Sequence, residues 1–435
     1  MATSQLISSE AVLFTPNYKL SDVVEKKVFS CKPDYFTENN GQIIFLVPPS
    51  SEHFTSLDMK LKMTLRVKRT LKTNMAAGDK VAPRNYILYT AFKSLMLQIN
   101  NKTVVNIPDN WAQFAHFWLS FNTTAAYRDN ILSQTTLYSE DATGEFDSTQ
   151  NNPGFDNRAD MVTTSNPIYL EGYLPLDICV SDRWLPPGCS LALTLQHARD
   201  EERLQIAANT PAGRTFVVQL EDVKLELTRI VPTAALMSSI QNSFAAEKKA
   251  VYPFKRLLMT GPNPVPNDTM AYNLTMPYTI KPSCMFVWFQ EASRVVQNDF
   301  KKNSQRYSNP KVSYCRCQFE GEIFPRSDSN GYELDMSSSY NNAKATDLYA
   351  ALFDLLGYTG DMMVAPGVNF KRFFNDQTVF TFNLESSPMR PDYTMPSHRY
   401  FSKNPVFSFP KFIFYFSVAE LNYTFVSPIK RPVTY

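Results

Sequence analysis

Glycine is scarce in this chain: 13 residues in 435, against 29 prolines. A phosphate-cradling loop needs several closely spaced glycines, and no such run exists. Turns must be built from Pro and Asn instead, which makes the connections stiff. Histidine is scarcer still, with four residues, at 53, 116, 197 and 398. None stands in a nucleophile-elbow or Cys–His signature, so no base is placed to activate a nucleophile, and no enzyme is expected. Net charge is nearly absent. Lys+Arg 43 against Asp+Glu 41 leaves +2, without the global basic field of a nucleic-acid binder. The longest apolar run, 284–289, is far too short to cross a bilayer. The opening MATSQLISSEAVLF has neither a basic leader nor an apolar core, so secretory routing is not expected. The six cysteines, at 31, 179, 189, 284, 315 and 317, lack zinc spacing and read as buried, reduced thiols. Cys315-Arg316-Cys317 places two sulfurs on one face of a strand with no second pair nearby, which favours packing over metal. No metal or cofactor is expected.

What is present favours β-structure: 44% apolar residues, 13% of the chain aromatic. The cleanest pattern is Met59, Leu61, Met63, Leu65 and Val67 alternating with Lys60, Lys62, Thr64, Arg66 and Lys68. One face enters a core and the other is basic. The row Lys60, Lys62, Arg66 and Lys68 is either a solvated strand face or a contact with a neighbour or a genome. Residues 42–47 form a short strand closed by Pro48-Pro49. Stretches 86–99 and 103–107 flank Asn100-Asn101, a tight turn because Asn tolerates positive φ. Asp109 is placed to cap a helix whose Trp111, Phe114, Ala115, Trp118 and Leu119 share one face. The polar stretch 122–167 is too long for a simple connection and reads as an elaborated surface loop.

Within 172–203, Tyr173, Leu174, Leu176, Ile178 and Val180 read as a strand, with Asp182-Arg183-Trp184-Leu185 at its far end. Pro186-Pro187-Gly188 breaks the chain, Leu191, Leu193 and Leu195 resume the alternation, and the charged run that follows is expected in water. Asp182, Arg183 and Trp184 read as an anchored structural corner rather than a catalytic one. Stretches 216–220 and 223–227 are two further strands. Pro232 opens a helix to about 248 with Leu236, Ile240 and Phe244 on one face.

The second half repeats this plan. Strands are expected at 257–260, 272–276 and 285–289, and a hairpin at Glu320-Gly321 joins 312–319 to 322–324. A helix over 344–356 carries Leu348, Ala351, Leu352 and Leu355 and ends at Gly357. Strands 379–384 and 412–417 close the chain. Two β-sandwiches joined by a helix fit this duplication better than one large sheet. The divisions are an arm (1–40), a first sandwich (41–231), a connecting helix (232–250) and a second sandwich (251–435).

The ordered set GQIIFLVPPSSEHFTSLDMKLKMTLRV, VAPRNYILYTAFKSLMLQINNKTVV, GYLPLDICVSDRWLPPGCSLALTL and YPFKRLLM resembles a family of viral coat proteins. These are the major capsid proteins of Polinton (Maverick) elements and adintovirus-like DNA viruses. The family's Asp-Arg-Tyr-Leu motif matches Asp182-Arg183-Trp184-Leu185, and its Tyr-Pro-Ile-Arg-Arg step matches Tyr252-Pro253-Phe254-Lys255-Arg256. Its Asn-Gly hairpin is Asn100-Asn101 here, and its Asp-Gly hairpin is Glu320-Gly321. The resemblance spans roughly residues 25–385; from Pro388 onward the chain departs from the family's closing pattern.

The resemblance implies an all-β double jelly roll, two eight-stranded antiparallel sandwiches with short inserted helices. Three chains would form a capsomer of pseudo-sixfold outline, and capsomers would tile an icosahedral shell around double-stranded DNA. Partners would be further copies of the chain, penton or minor capsid proteins and, weakly, packaged DNA. Assembly would take place in the infected cell, in its nucleus. Loop 122–167 and the stretch 297–310, with Lys301, Lys302 and Arg306, would form an outward tower or subunit contacts, and the arm would line the shell. A carbohydrate-binding or carbohydrate-cleaving β-sandwich is the alternative, motivated by Tyr138 and Phe146 as loop aromatics on which sugars stack.

Overall fold

The structure, a computed structural model, describes residues 23–384 and the backbone of 412–417. It leaves out 38–40, 77, 181–182, 208–209, 211–213, 247–251, 253–255, 261–283, 292–293, 295–298, 320, 326–330, 337–338, 342 and 357–366. The expected strand at 272–276, Gly357 and the arm before Val23 therefore lie outside the described residues.

The molecule is mostly β with some helices. In the first half two antiparallel sheets share one core. One has the order Val23–Cys31, Phe216–Pro232, Lys60–Arg69, Ile168–Tyr173, with Phe54–Thr55 beside the second of these strands. The other runs Tyr35–Phe36, Gln42–Val47, Leu191–His197, Phe92–Ile99, Lys102–Ile107. The two- and three-residue strands aside, eight long strands taken in chain order pair as 1-8-3-6 and 2-7-4-5. Sequence neighbours thus mostly fall in opposite sheets, and each sheet is completed only by strands from both ends of the domain.

Period-two alternation drives the layering. Leu61, Leu65 and Val67 point inward from one sheet and Phe45, Leu95, Leu97, Leu193 and Leu195 from the other, all essentially without exposure. The first strand lies within the stretch read as an arm: Val23–Cys31 pairs along the far end of Phe216–Pro232. That long strand covers both stretches expected as separate strands. Asp222, at φ 47°, sits in a register shift that bends one strand rather than ending it.

Four further readings are corrected. Residues 86–90 form a helical turn, not the start of a strand, because Tyr86 takes φ 58° and turns the chain into Ile87–Thr90. Asp109 accepts the Asn110 N–H and caps nothing; the helix Trp111–Asn122 is buried on nearly every side instead of along one stripe. The strand entering the 172–203 stretch, Ile168–Tyr173, stops at Tyr173, and Asp177–Val180 is a 3₁₀ turn. Pro175 has no N–H to give a ladder, so apolar alternation there does not make a strand. Pro232 ends a strand, and Thr233 Oγ1 accepts the Leu236 N–H at 3.3 Å to start the helix Ala234–Ala245. Leu236 and Ile240 are half-buried; the Phe244 side chain lies outside the described residues.

In the second half, Arg256–Thr260, Phe412–Ser417, Cys284–Trp288 and Val379–Asn383 form a four-stranded sheet. Helix Thr346–Leu356 buries Leu348, Leu352, Phe353 and Leu356 against it. Cys315 and Cys317 fall in different two-stranded ribbons, Tyr314–Cys315 with Tyr332–Glu333 and Cys317–Phe319 with Glu322–Phe324, so they do not share one strand face. All six cysteines are free thiols.

The Asn100-Asn101 turn joins strands of the second sheet with both residues at positive φ, 50° and 61°. A β-carbon without a local amide hydrogen bond is disfavoured there, by roughly 1–2 kcal/mol. Asn101→Ala should lower the unfolding free energy by about 1 kcal/mol in denaturant titration, and Asn101→Gly should not lower it.

Candidate functional site

The polar stretch 122–167 is not a surface loop. Leu132, Leu137, Tyr138, Phe146, Phe155 and Val162 are buried, and so are Arg128, Asp141, Asn152 and Arg158. It folds as short helical turns over 125–135 and a helix, Pro153–Val162, in which Pro at the first position and the Asn152 side chain, accepting the Phe155 N–H, fix the start. That helix aims Phe155, Arg158, Ala159 and Val162 inward. Burial of Tyr138 and Phe146 removes the exposed rings on which the carbohydrate reading rested.

At the centre of the stretch, Arg158 spends its guanidinium on buried and half-buried acceptors. Nη2 meets Asp141 Oδ1 at 2.9 Å, Nη1 donates to Asn85 Oδ1 and Ser139 O, and Nε donates to Pro83 O. Asp141 in turn accepts from the side-chain amides of Asn152 (2.9 Å), Asn85 (3.1 Å) and Asn303 (3.4 Å). Both side chains are essentially inaccessible, at 1% and 0%. Polar atoms in such a place need partners, and each nitrogen of the Arg158 guanidinium and each oxygen of the Asp141 carboxylate has at least one.

Asn303 belongs to the second half, and it is one of several groups that cross over. The Gln305 side-chain amide pairs with the backbone of Asn85 in both directions, at 3.2 and 2.8 Å. Arg84 donates to the Lys302 carbonyl. Asp147 takes both Nη atoms of Arg294 and the Asn303 N–H, with Lys302 and Arg306 nearby. Arg372 reaches Glu140 and the Asp141 carbonyl from the helix Phe370–Asp376. Asp376 accepts the Gly144 N–H at 2.6 Å. Arg128 donates to the Gly367 carbonyl, and a β-carbon on Gly367 would collide with the Arg128 guanidinium. Residues 299–307, expected as exposed, are mostly plugged into this seam: Asn303, Ser304, Gln305 and Tyr307 are buried, and Asp299 and Lys301 are open.

An aromatic layer continues the seam. Tyr307 stacks on Trp288 at 4.6 Å between ring centres and meets His116 Nδ1 at 3.0 Å through its hydroxyl. Trp288 in turn stacks on Phe117.

Burial governs the ionisation here. It lowers Arg84 to about 9, with Arg158 pushing the same way. Burial raises the Asp376 carboxyl despite the Gly144 and Arg306 contacts. For Asp147 burial also acts upward, but Arg294, Asn303 and Lys302 together outweigh it and leave the carboxyl below its ordinary value. Burial drives His116 well below its usual range, and takes His197 down to about 4 with help from Arg203.

The corner expected from the sequence is divided. Asp182 lies outside the described residues; Arg183 is exposed and Trp184 half-buried. The Trp184 ring meets Phe54 edge-on at 6.2 Å, and its carbonyl accepts the Tyr252 hydroxyl at 2.9 Å. Leu185 and Thr55 exchange two backbone hydrogen bonds, and Gly188, at φ 85°, donates to Ser50 O. The charged run after the next strand is only partly in water: Arg203 is buried and donates to Ala91 O, and Asp200 accepts the Val218 N–H.

The basic row is answered by carboxylates from adjacent strands. Glu171 meets Lys60 at 2.7 Å and Lys62 at 3.2 Å, Glu226 meets Lys62 at 2.9 Å, and Glu221 meets Arg66 at 3.1 Å. Lys68 lies beyond them, opposite Val217.

No arrangement of these groups forms a catalytic set. Ser50 Oγ stands 2.9 Å from His53 Nδ1, but the hydroxyl also accepts the His53 N–H within one turn, a local turn bond rather than an activated pair. His116 and His197 are buried, and His398 is outside the described residues. No described helix is long and apolar enough to cross a membrane.

Interleaved antiparallel sheets in the first half, joined by a polar seam to a further sheet in the second, resemble a double jelly roll in fold, and a solved viral structure shares that likeness. The Sputnik virophage structure at 3.5 Å matches with a TM-score of 0.51 and 11% identity, over 92% of this chain and 83% of that one. The capsid of the virus PBCV-1 matches with 0.49 and 10% over 93% and 96%, and the mavirus major capsid protein with 0.42 and 11% over 97% and 90%. At such identities the likeness is one of fold. No protein-family model and no curated protein matches the sequence.

Two outcomes follow for the seam. Asp141→Asn leaves the Arg158 charge buried and unanswered, and should destabilise by about 3–5 kcal/mol. Lys301→Ala, on the open rim, should stay within about 0.5 kcal/mol; chemical denaturation measures both. His116 and His197 set a pH dependence. Their folded pKa values lie below the unfolded value of about 6.5, so the unfolded chain binds more protons and stability falls as pH drops through that value. For His197 the loss runs down to about 4. Asp376, raised in the fold, acts with the opposite sign. The melting temperature should fall between about pH 6.5 and 5, with a shallower slope in His197→Phe.

Proposed function

We propose that this chain is the major capsid protein of an icosahedral double-stranded DNA virus, a double jelly roll acting as a trimeric, pseudo-hexameric capsomer. The observation that carries the reading is the 1-8-3-6 and 2-7-4-5 pairing of eight long strands in the first half, the arrangement of a jelly roll. The match to the Sputnik virophage over most of both chains supports it. Two eight-stranded rolls, divided near Pro232 with a connecting helix to about 250, are the proposed domains, and the arm shortens to the residues before Val23. The ordered motifs support a lineage close to Polinton and adintovirus-like elements, and assembly in the nucleus.

In this reading the seam is what makes the chain a tile. Two sandwiches held by buried ion pairs keep one relative orientation, which repeated contacts in a shell require. The corner at Arg183 and Trp184 is proposed as a structural junction, tied to the linker end by the Tyr252 hydroxyl. The row Lys60, Lys62, Arg66 and Lys68, with most of its charge already matched, is proposed to meet neighbouring capsomers through rim ion pairs. A genome contact would be weaker, because paired lysines release few counterions. Penton or minor capsid proteins would complete the shell.

Light scattering coupled to size exclusion tests the reading: a species of three times the 49.6 kDa chain mass is expected. A monomer at every protein concentration and ionic strength would contradict it.

A further inference from the structure

His197 ends the strand Leu191–His197, and its imidazole is 3% exposed. Neither ring nitrogen has a hydrogen-bond partner among the described residues. Aromatic rings hold it instead: Phe92 stands at 5.8 Å between ring centres and Phe36 at 6.3 Å, both edge-on. Beside it lies a cavity of about 100 Å³, walled by Phe36, Lys72, His197, Val218, Gln219 and Leu220. Gln219 Oε1 is likewise buried and unpartnered. A buried polar group without a partner is rare and calls for a reason.

The walls of this cavity are not equally fixed. Val218, Gln219 and Leu220 belong to the long strand Phe216–Pro232, in register with Lys60–Arg69. Phe36 belongs to a two-residue strand at the edge of the other sheet, paired with Ile43. Its neighbours add two backbone bonds, Asp34 N–H to Ile44 O at 2.8 Å and Thr37 N–H to Gln42 O at 3.3 Å. Tyr35 and Phe36 are 52% and 38% exposed, so little apolar burial holds the segment down. Short, exposed segments with few bonds open at the low end of a protein's stability range.

The surroundings of the ring oppose a second proton. A protonated imidazole carries a full charge and two N–H donors. Arg203, buried on the turn Asp200–Arg203, repels that charge, and Lys72 lines the same cavity. Asp200, whose carboxyl burial raises, accepts the Val218 N–H at 2.9 Å and lies 3.5 Å from Arg203. Asp34, on the Phe36 segment, is committed to the Leu46 N–H at 2.9 Å. Phe92 and Gln219, from the two long strands beside the ring, carry no charge. Gln219 Oε1 can serve one of the two donors, and the other requires water. The wall that can yield to let water in is Phe36.

We propose that Phe36 is an acid-released lid: when His197 takes a second proton, the segment Asp34–Thr37 leaves the cavity and admits water to the ring. The inference stands apart from the capsid reading, since these contacts alone carry it. Burial and Arg203 hold His197 at about 4 in the closed form, and solvent returns it toward ~6.5. The open form therefore binds more protons, and closure weakens as pH falls through about 6.5 toward 4. Asp200, bonded to Val218 and Arg203 rather than to the lid, does not drive the opening. Between about pH 7.5 and 5 the open-to-closed ratio should rise about 30-fold.

Hydrogen–deuterium exchange of the full chain, corrected for intrinsic rates, reads the opening. Protection of amides 34–37 should fall by about that factor between the two pH values, while amides 61–67 keep theirs. His197→Phe should abolish the change. Should that variant fold poorly, NMR titration of the His197 ring gives a second reading. It should titrate well below its ordinary value of ~6.5 in the wild-type chain and move toward that value in Phe36→Ala. Equal protection at both pH values, a loss that persists in His197→Phe, or a wild-type His197 that titrates at its ordinary value would overturn the lid.

Discussion

Asp141 and Arg158 face each other at 2.9 Å out of reach of water, and the arrangement of the molecule turns on that pair. Burying two charges is costly unless geometry is good and the remaining hydrogen-bonding capacity is met. Here Asn85 comes from the turn before the second sheet, Asn152 from a helix cap, and Asn303 from the other half. The pair is therefore satisfied only when three separate segments, around Asn85, Asp141 to Arg158 and Asn303, meet. Its contribution is less a gain in stability than a penalty on every other way of docking the halves. Asp147 with Arg294, and Asp376 with Gly144, repeat the device on either side.

The two facing sheets of the first half impose the complementary constraint. Interleaving strands from both ends of the domain ties Val23–Cys31 to Phe216–Pro232, so the first roll closes only when nearly all of it is present. Turns made by Pro186-Pro187-Gly188 and by Asn100-Asn101 leave little freedom between strands.

The layering was legible in the residues wherever one face is buried: Leu61 to Val67 alternate as strands do, and of the helical stripe Leu348, Ala351, Leu352 and Leu355 the first and third are buried and the other two half-buried. The seam was not. Stretch 122–167 is polar, and polar sequence in isolation implies solvent. Only the partners of Asp141 and Arg158 make burial tolerable, and those partners stand up to 162 residues away. A partial signal was present in Asn152-Pro153 followed by Phe155, Ala159 and Val162, a cap and an apolar helical stripe. Leu174 to Val180 misled in the opposite direction, since alternation there accompanies a 3₁₀ turn after Pro175. The basic row was correctly placed on an outer strand face, but the carboxylates that answer it come from strands more than a hundred residues on.

The proposed function is self-assembly of a chain whose two halves are joined by a buried polar seam. The most direct measurement is a cryo-electron microscopy reconstruction of the purified full chain. The account predicts threefold particles of six-lobed outline, alone or tiled into shells, with residues 122–167 inside each subunit between its two lobes. Single two-lobed particles, or a ring in which that segment projects as a tower from the surface, would contradict it.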